Sequence, residues 1–103
     1  MSEELYFDYN ASTPVAQPVL EAALPWHLEG YANPSSSHPA GRRAAEAIAA
    51  SRATIAASLG ALPAEIFFTS GGTESNNWAL YGSAPRSGRG HLVISAIEHK
   101  SIQ

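Results

Sequence analysis
The chain has 103 residues, 45% hydrophobic and 15% charged, an ordinary globular composition long enough for one small domain at most. Its net charge of −3 and scattered arginines leave no basic footprint for nucleic acid, and no apolar run approaches the ~20 residues that span a membrane. Cysteine is absent, which excludes a disulfide framework and a cysteine-based zinc site, and the acidic start Met1-Ser2-Glu3-Glu4 lacks the pattern of a secretory leader. A cytoplasmic location is the default expectation. There is a single lysine, Lys100, so chemistry that needs a second lysine cannot be completed by these residues.

In chain order, Leu5 to Tyr9 form a short aromatic segment of extended character, and Asn10 to Pro14 form a loop, because Pro14 biases Thr13 away from helix. Residues 15–28 have helical spacing, with Val15, Val19, Leu20, Ala23, Leu24 and Leu28 on one face. Pro18 suits the first turn of that helix, and Pro25 is expected to kink or end it. Residues 30–38 are rich in loop formers. A long helix is predicted over 39–59, with Ala44, Ile48, Ile55 and Leu59 in phase and Gly60 as its stop.

Two short apolar segments follow, 65–69 and 91–95, and both read as buried strands. Between them lie a helix over 73–82, entered through Ser70-Gly71-Gly72, and a surface loop from Pro85 to Gly90. Glu98-His99-Lys100-Ser101 reads as the opening of another helix. Alternation of this kind predicts an α/β fold with a parallel sheet and helices on its faces. A sheet of two strands has exposed edges, so these residues are expected to be the front part of a larger fold or one piece of a split protein.

Ligands of open parallel sheets sit beyond the carboxyl ends of the strands. The first strand ends in Ser70-Gly71-Gly72-Thr73, and the second leads to Glu98-His99-Lys100. A glycine turn at a helix start presents unpaired N–H groups and the positive end of the helix dipole, which suits a phosphate. A tight turn with Thr73 as a cap accounts for the same residues equally well. His99 has the chemistry to stack on a planar ring or shuttle a proton, and a helix-start histidine without a task is the plainer reading. His38 reads as a structural hydrogen-bonding group, Asn33-Pro34 as a turn, and Asp8 among aromatics as a group that wants a partner. Four histidines without a close pair make a weak case for metal.

Four blocks stand in register: Tyr6-Phe7-Asp8-Tyr9-Asn10-Ala11-Ser12-Thr13-Pro14, Asn33-Pro34-Ser35-Ser36-Ser37-His38, Phe68-Thr69-Ser70-Gly71-Gly72-Thr73-Glu74-Ser75-Asn76 and Glu98-His99-Lys100. Together they resemble the N-terminal part of cysteine desulfurases of the NifS/IscS type, which are class V, fold-type I, pyridoxal-phosphate enzymes. The first two blocks favour this branch over the SufS-like branch and the selenocysteine lyases. The resemblance implies a parallel-sheet α/β/α sandwich, incomplete here. Residues 1–14 would be an N-terminal arm and active-site loop, and 15–103 the first part of the cofactor-binding domain. It also implies that Gly72 and Thr73 bind the cofactor phosphate, and that His99 stacks on the pyridine ring and assists proton transfer. Ala11, within the Asn10–Thr13 loop, and Asn33 would line the substrate mouth.

The implied reaction takes sulfur from L-cysteine, leaving L-alanine and an enzyme-bound persulfide, and passes the sulfur to an acceptor protein, as in iron–sulfur cluster assembly. A homodimer is implied. The departures are equally specific. The family holds pyridoxal phosphate as a Schiff base on a lysine further downstream, and Lys100 does not match that motif. The aspartate for the pyridine nitrogen, the arginine for the substrate carboxylate and the persulfide cysteine are also missing. Gly72 replaces a common alanine. The sequence therefore points to part of a desulfurase, inactive by itself and completed by the remainder of the enzyme or a complementary chain. A non-catalytic or split-subunit interaction module and another class V aminotransferase are the alternatives.

Overall fold
The computed structural model describes residues 5–83, 88 and 91–103. Among these residues are three α-helices, α1 (Gln17–Leu28), α2 (Pro39–Leu59) and α3 (Gly72–Ser83), with a 3₁₀ turn at Pro63–Glu65. Two compact units divide between Ile55 and Ala56.

In the first unit, α1 starts without a side-chain cap, since Ala16 has none to offer; its carbonyl accepts from Val19 and Leu20 at 2.9 and 3.1 Å. Pro18 occupies the first turn, as predicted, where its missing N–H costs nothing. Pro25 does not end the helix. The turn continues to Leu28, and the Pro25 carbonyl collects both the Glu29 and Gly30 N–H groups at 2.9 and 3.1 Å. A proline this close to the C-terminus removes one bond, and its own carbonyl still closes the helix.

α2 begins on a histidine cap. The His38 carbonyl accepts from Arg42 N–H at 3.0 Å, and its ring Nδ1 accepts from Gly41 N–H at 3.2 Å. That gives His38 the structural role the sequence assigned it, and Pro39 follows at the favoured first position. The Arg42 guanidinium donates to the Ser37 carbonyl and draws the preceding loop onto the helix. Gly41 is buried under that loop. A Cβ there would come within 2.4 Å of the Ser36 carbonyl oxygen and 2.8 Å of that of Asn33.

α2 ends as the sequence predicts. Gly60 has φ +66°, and Ala61 N–H reaches the Ala56 carbonyl at 2.9 Å while Gly60 N–H reaches that of Ala57 at 3.3 Å. This paired closure needs a left-handed residue, which glycine adopts without strain.

In the second unit the two expected strands are not formed among the described residues. Ile66 is extended at φ −100° and ψ 126°, yet neither 66–69 nor 91–95 joins a ladder among the described residues. Glu65 instead folds back to accept from Leu62 N–H at 2.7 Å, closing the 3₁₀ turn. A strand exists through its hydrogen-bonded neighbour, and these two segments do not pair with each other. Their apolar side chains are left open, with Phe67 62% and Val93 94% exposed. The expected helix opening at 98–101 is a turn closed by Ile102 N–H on the His99 carbonyl at 2.8 Å. The Pro85–Gly90 loop lies mostly outside the described residues.

The buried hydrophobic residues among those described are Ala44 and Ala56. The apolar face expected on α1 exists as a face, but Val19, Leu20, Leu24 and Leu28 remain exposed and Ala23 is half-buried. No helix of the described residues is long and apolar enough to cross a membrane.

Candidate functional site
The site of interest is the start of α3. Gly71 is the residue before the helix, and its carbonyl accepts from Ser75 N–H at 3.1 Å. The N–H groups of Gly72, Thr73 and Glu74 occupy the first turn, where the helix itself offers no acceptor. The turn is braced from the side. Glu74 accepts from Ser70 N–H at 2.6 Å and from the Ser70 hydroxyl at 2.7 Å. These two bonds, the backbone one foremost, hold its carboxyl below the ordinary value. The Thr69 and Ser75 hydroxyls pair at 2.7 Å. Thr73 uses its carbonyl to hold Asn77 Nδ2 at 2.8 Å, and among the described residues its hydroxyl makes no hydrogen bond.

α3 presents two faces at helical spacing. Ser75, Trp78, Ala79, Gly82 and Ser83 border an open hollow of about 920 Å³ with Glu65, Phe67 and Thr69. Phe67 and Trp78 meet there edge to face, centroids 5.2 Å apart. With one carboxylate and no cation among the described residues of its lining, that hollow suits apolar groups. The opposite face, Thr73, Asn77, Leu80 and Tyr81, borders a second cavity of about 470 Å³ that also contains Lys100 and Ser101. Thr73 and Asn77 are the polar side chains that α3 gives to this cavity.

His99 reaches the same neighbourhood through Ser101. Asn76 Nδ2 on α3 donates to Ser101 Oγ at 2.9 Å across 25 residues of sequence. Ser101 Oγ lies 2.9 Å from His99 Nδ1, and Ser101 N–H donates to that nitrogen at 3.1 Å. α3, which opens at Gly72 and Thr73, and the segment carrying His99 are thus tied together inside the second unit. Ala11 and Asn33 belong to the first unit, in separate turns. Ala11 N–H donates to the Asp8 carbonyl at 3.0 Å, in a loop latched by Tyr6, whose hydroxyl meets the Asp8 carbonyl at 2.9 Å and Ser12 Oγ at 3.1 Å. Asn33 folds its side chain back to accept from Ser35 N–H at 2.9 Å, the turn role the loop composition indicated. Among the described residues no group of three or more His, Asp or Glu is placed to hold a metal ion.

Residues 5–103 match the family described as Aminotransferase class-V. The chain belongs to the class-V aminotransferases. Within that family it is 44% identical to the cysteine desulfurase IscS of Methanosarcina thermophila, over 98% of this chain and 26% of the relative. It is 46% identical to the cysteine desulfurase IscS of Dictyoglomus turgidum, over 99% of this chain and 26% of the relative. The selenocysteine lyase of Bos taurus is 38% identical over 99% of this chain and 28% of its own length. The chain therefore spans about a quarter of the length of these curated class-V relatives. The resemblance seen in the four sequence blocks is that of these desulfurases, and it covers nearly the whole chain.

Two polar residues of this class-V chain escaped sequence reasoning: Asn76 and Ser101. Asn76 sits one turn into a helix, where an asparagine is unremarkable, and Ser101 lies two residues past His99. Neither carries a spacing signal toward the other. Their contact emerges only when α3 and the 98–102 turn are placed side by side.

Proposed function
We propose that this chain supplies the N-terminal part of a pyridoxal-phosphate-dependent cysteine desulfurase with the fold-type I sandwich architecture. Residues 1–14 form its arm and active-site loop, and 15–103 the first part of its cofactor-binding domain. The reading rests above all on the tie between α3, which opens at Gly72 and Thr73, and the His99 segment, made through Asn76 and Ser101.

The residues present fit the cofactor's phosphate. An added Cβ at Gly71 or Gly72 meets nothing within 4 Å, and neither glycine has a positive φ. Neither packing nor backbone strain asks for glycine at these positions. The first-turn N–H groups of this helix offer an anion both donors and the positive end of the dipole. Gly72 and Thr73 donate their N–H groups to the phosphate, and Thr73 adds its hydroxyl. The Glu74 carboxylate, drawn onto Ser70, holds the shape of the turn.

His99 would stack on the cofactor ring and would move protons to and from the substrate. The Ala11 loop and Asn33 line the mouth that admits L-cysteine. Bound pyridoxal phosphate supplies an electron sink for bond cleavage at the substrate. Sulfur passes to a persulfide cysteine and on to an acceptor protein, with iron–sulfur cluster assembly the proposed use. A homodimer in the cytoplasm is the proposed setting. The lysine that holds the aldehyde and the persulfide cysteine come from the remainder of the protein or a complementary chain, because Lys100 is the single lysine and cysteine is absent.

A second reading, a non-catalytic interaction module, is favoured by one observation: the exposed apolar side of α3 around Trp78 and Phe67. Native purification separates the two. The desulfurase reading predicts that these residues are recovered in a particle that also carries a lysine-anchored cofactor and a reactive cysteine, and that releases sulfide from L-cysteine. Recovery of a 10.8 kDa chain with no companion overturns it.

A further inference from the structure
We propose that Asn76 and Ser101 are positioning residues that fix the tautomer of His99, so that its neutral ring carries the proton on Nε2. The hydrogen-bond directions lead to this. Ser101 N–H is a donor without alternative, and it points at His99 Nδ1 at 3.1 Å. A ring nitrogen that accepts cannot hold the proton of a neutral imidazole, so the proton sits on the other nitrogen.

The side-chain chain has the same polarity. The Asn76 amide nitrogen has only hydrogens to give, and it occupies Ser101 Oγ as an acceptor at 2.9 Å. The hydroxyl hydrogen is then left for His99 Nδ1, 2.9 Å away. Amide, hydroxyl and imidazole form one directed relay, anchored on α3 by half-buried Asn76 and passing through half-buried Ser101 of the 98–102 turn. Two consequences follow. Ring rotation is restricted, because turning His99 breaks bonds to both the backbone and the hydroxyl of Ser101. The group left facing outward is Nε2–H, a donor.

The catalytic meaning rests on the function proposed above. On that reading His99 meets the substrate first as an acid or hydrogen-bond donor at Nε2. It serves as a base there only after it has given that proton away. An anionic sulfur or carboxylate of an amino-acid substrate is the kind of group such a donor recognises.

The relay is testable without cofactor, so its failure is distinct from failure of the functional reading. Long-range proton–nitrogen correlation on the ¹⁵N-histidine-labelled chain resolves four imidazoles, with His99 assigned as the set missing from His99→Gln. The expected result is an unprotonated Nδ1 and a protonated Nε2. Asn76→Leu and Ser101→Ala each shift the tautomer ratio about fivefold toward Nδ1–H, the worth of one neutral hydrogen bond. Ser101→Thr keeps the parent ratio. A parent chain with its proton on Nδ1, or a ratio unmoved by both Asn76→Leu and Ser101→Ala, overturns the proposal. The parent and Ser101→Thr spectra decide it even if a truncated variant fails to fold.

Discussion

Gly41→Ala is expected to release the 33–38 loop from α2 and to destabilise the first unit by about 1–3 kcal/mol, the usual cost of overpacking. The added methyl would lie 2.4 Å from the Ser36 carbonyl oxygen and 2.8 Å from that of Asn33. Both obstacles include backbone, so no side-chain rotation clears them. Ser36 Cβ at 2.8 Å closes the remaining direction. The loop must lift, and with it go the His38 cap on Gly41 N–H and the Arg42 bond to the Ser37 carbonyl. Denaturant unfolding followed by helix circular dichroism measures the loss. Amide exchange at Ser35 and Ser36 locates it, since their N–H groups are held by Asn33 at 2.9 and 3.0 Å. Unchanged stability and protection would mean that this close approach does not hold the loop.

Thr73→Val is expected to weaken pyridoxal phosphate binding by roughly tenfold to a hundredfold, the range for one hydrogen bond to a charged group. The substitution preserves shape and leaves the backbone donors of the turn in place. It removes a hydroxyl that makes no hydrogen bond among the described residues, on a side chain that lines the second cavity. Thr73→Ser should retain most of the affinity. Equilibrium dialysis of the cofactor against the variants gives the ratio. The loss should vanish when pyridoxal without phosphate is the ligand, because the Thr73 hydroxyl is assigned to the phosphate.

The helices of this chain were legible because their signals are local. Pro39 and Gly60 bracket α2 at the predicted ends, and the capping chemistry of His38 and the left-handed Gly60 explains why. The glycine turn before α3 was legible for the same reason. Pro25 does not end α1, because it stands where the helix has nearly closed and few interior bonds remain to be lost. The strands at 65–69 and 91–95 could not be settled locally. Their apolar runs describe what a strand would bury, and a ladder depends on partners that the described residues do not provide. Half of the site was similarly visible: Gly72, Thr73 and His99 stood out by type and position. Asn76 and Ser101 did not, because the bond joining them spans 25 residues and obeys no periodicity.

The proposed function gives the phosphate and the aldehyde of the cofactor to different pieces of protein, the first to the Gly72–Thr73 turn and the second to a lysine outside these residues. The visible absorption spectrum of the chain with pyridoxal phosphate tests that division directly. The account predicts the spectrum of a free aldehyde, identical in the parent chain and in Lys100→Ala. A stable band of lysine-bound cofactor in the parent, lost in Lys100→Ala, would contradict it.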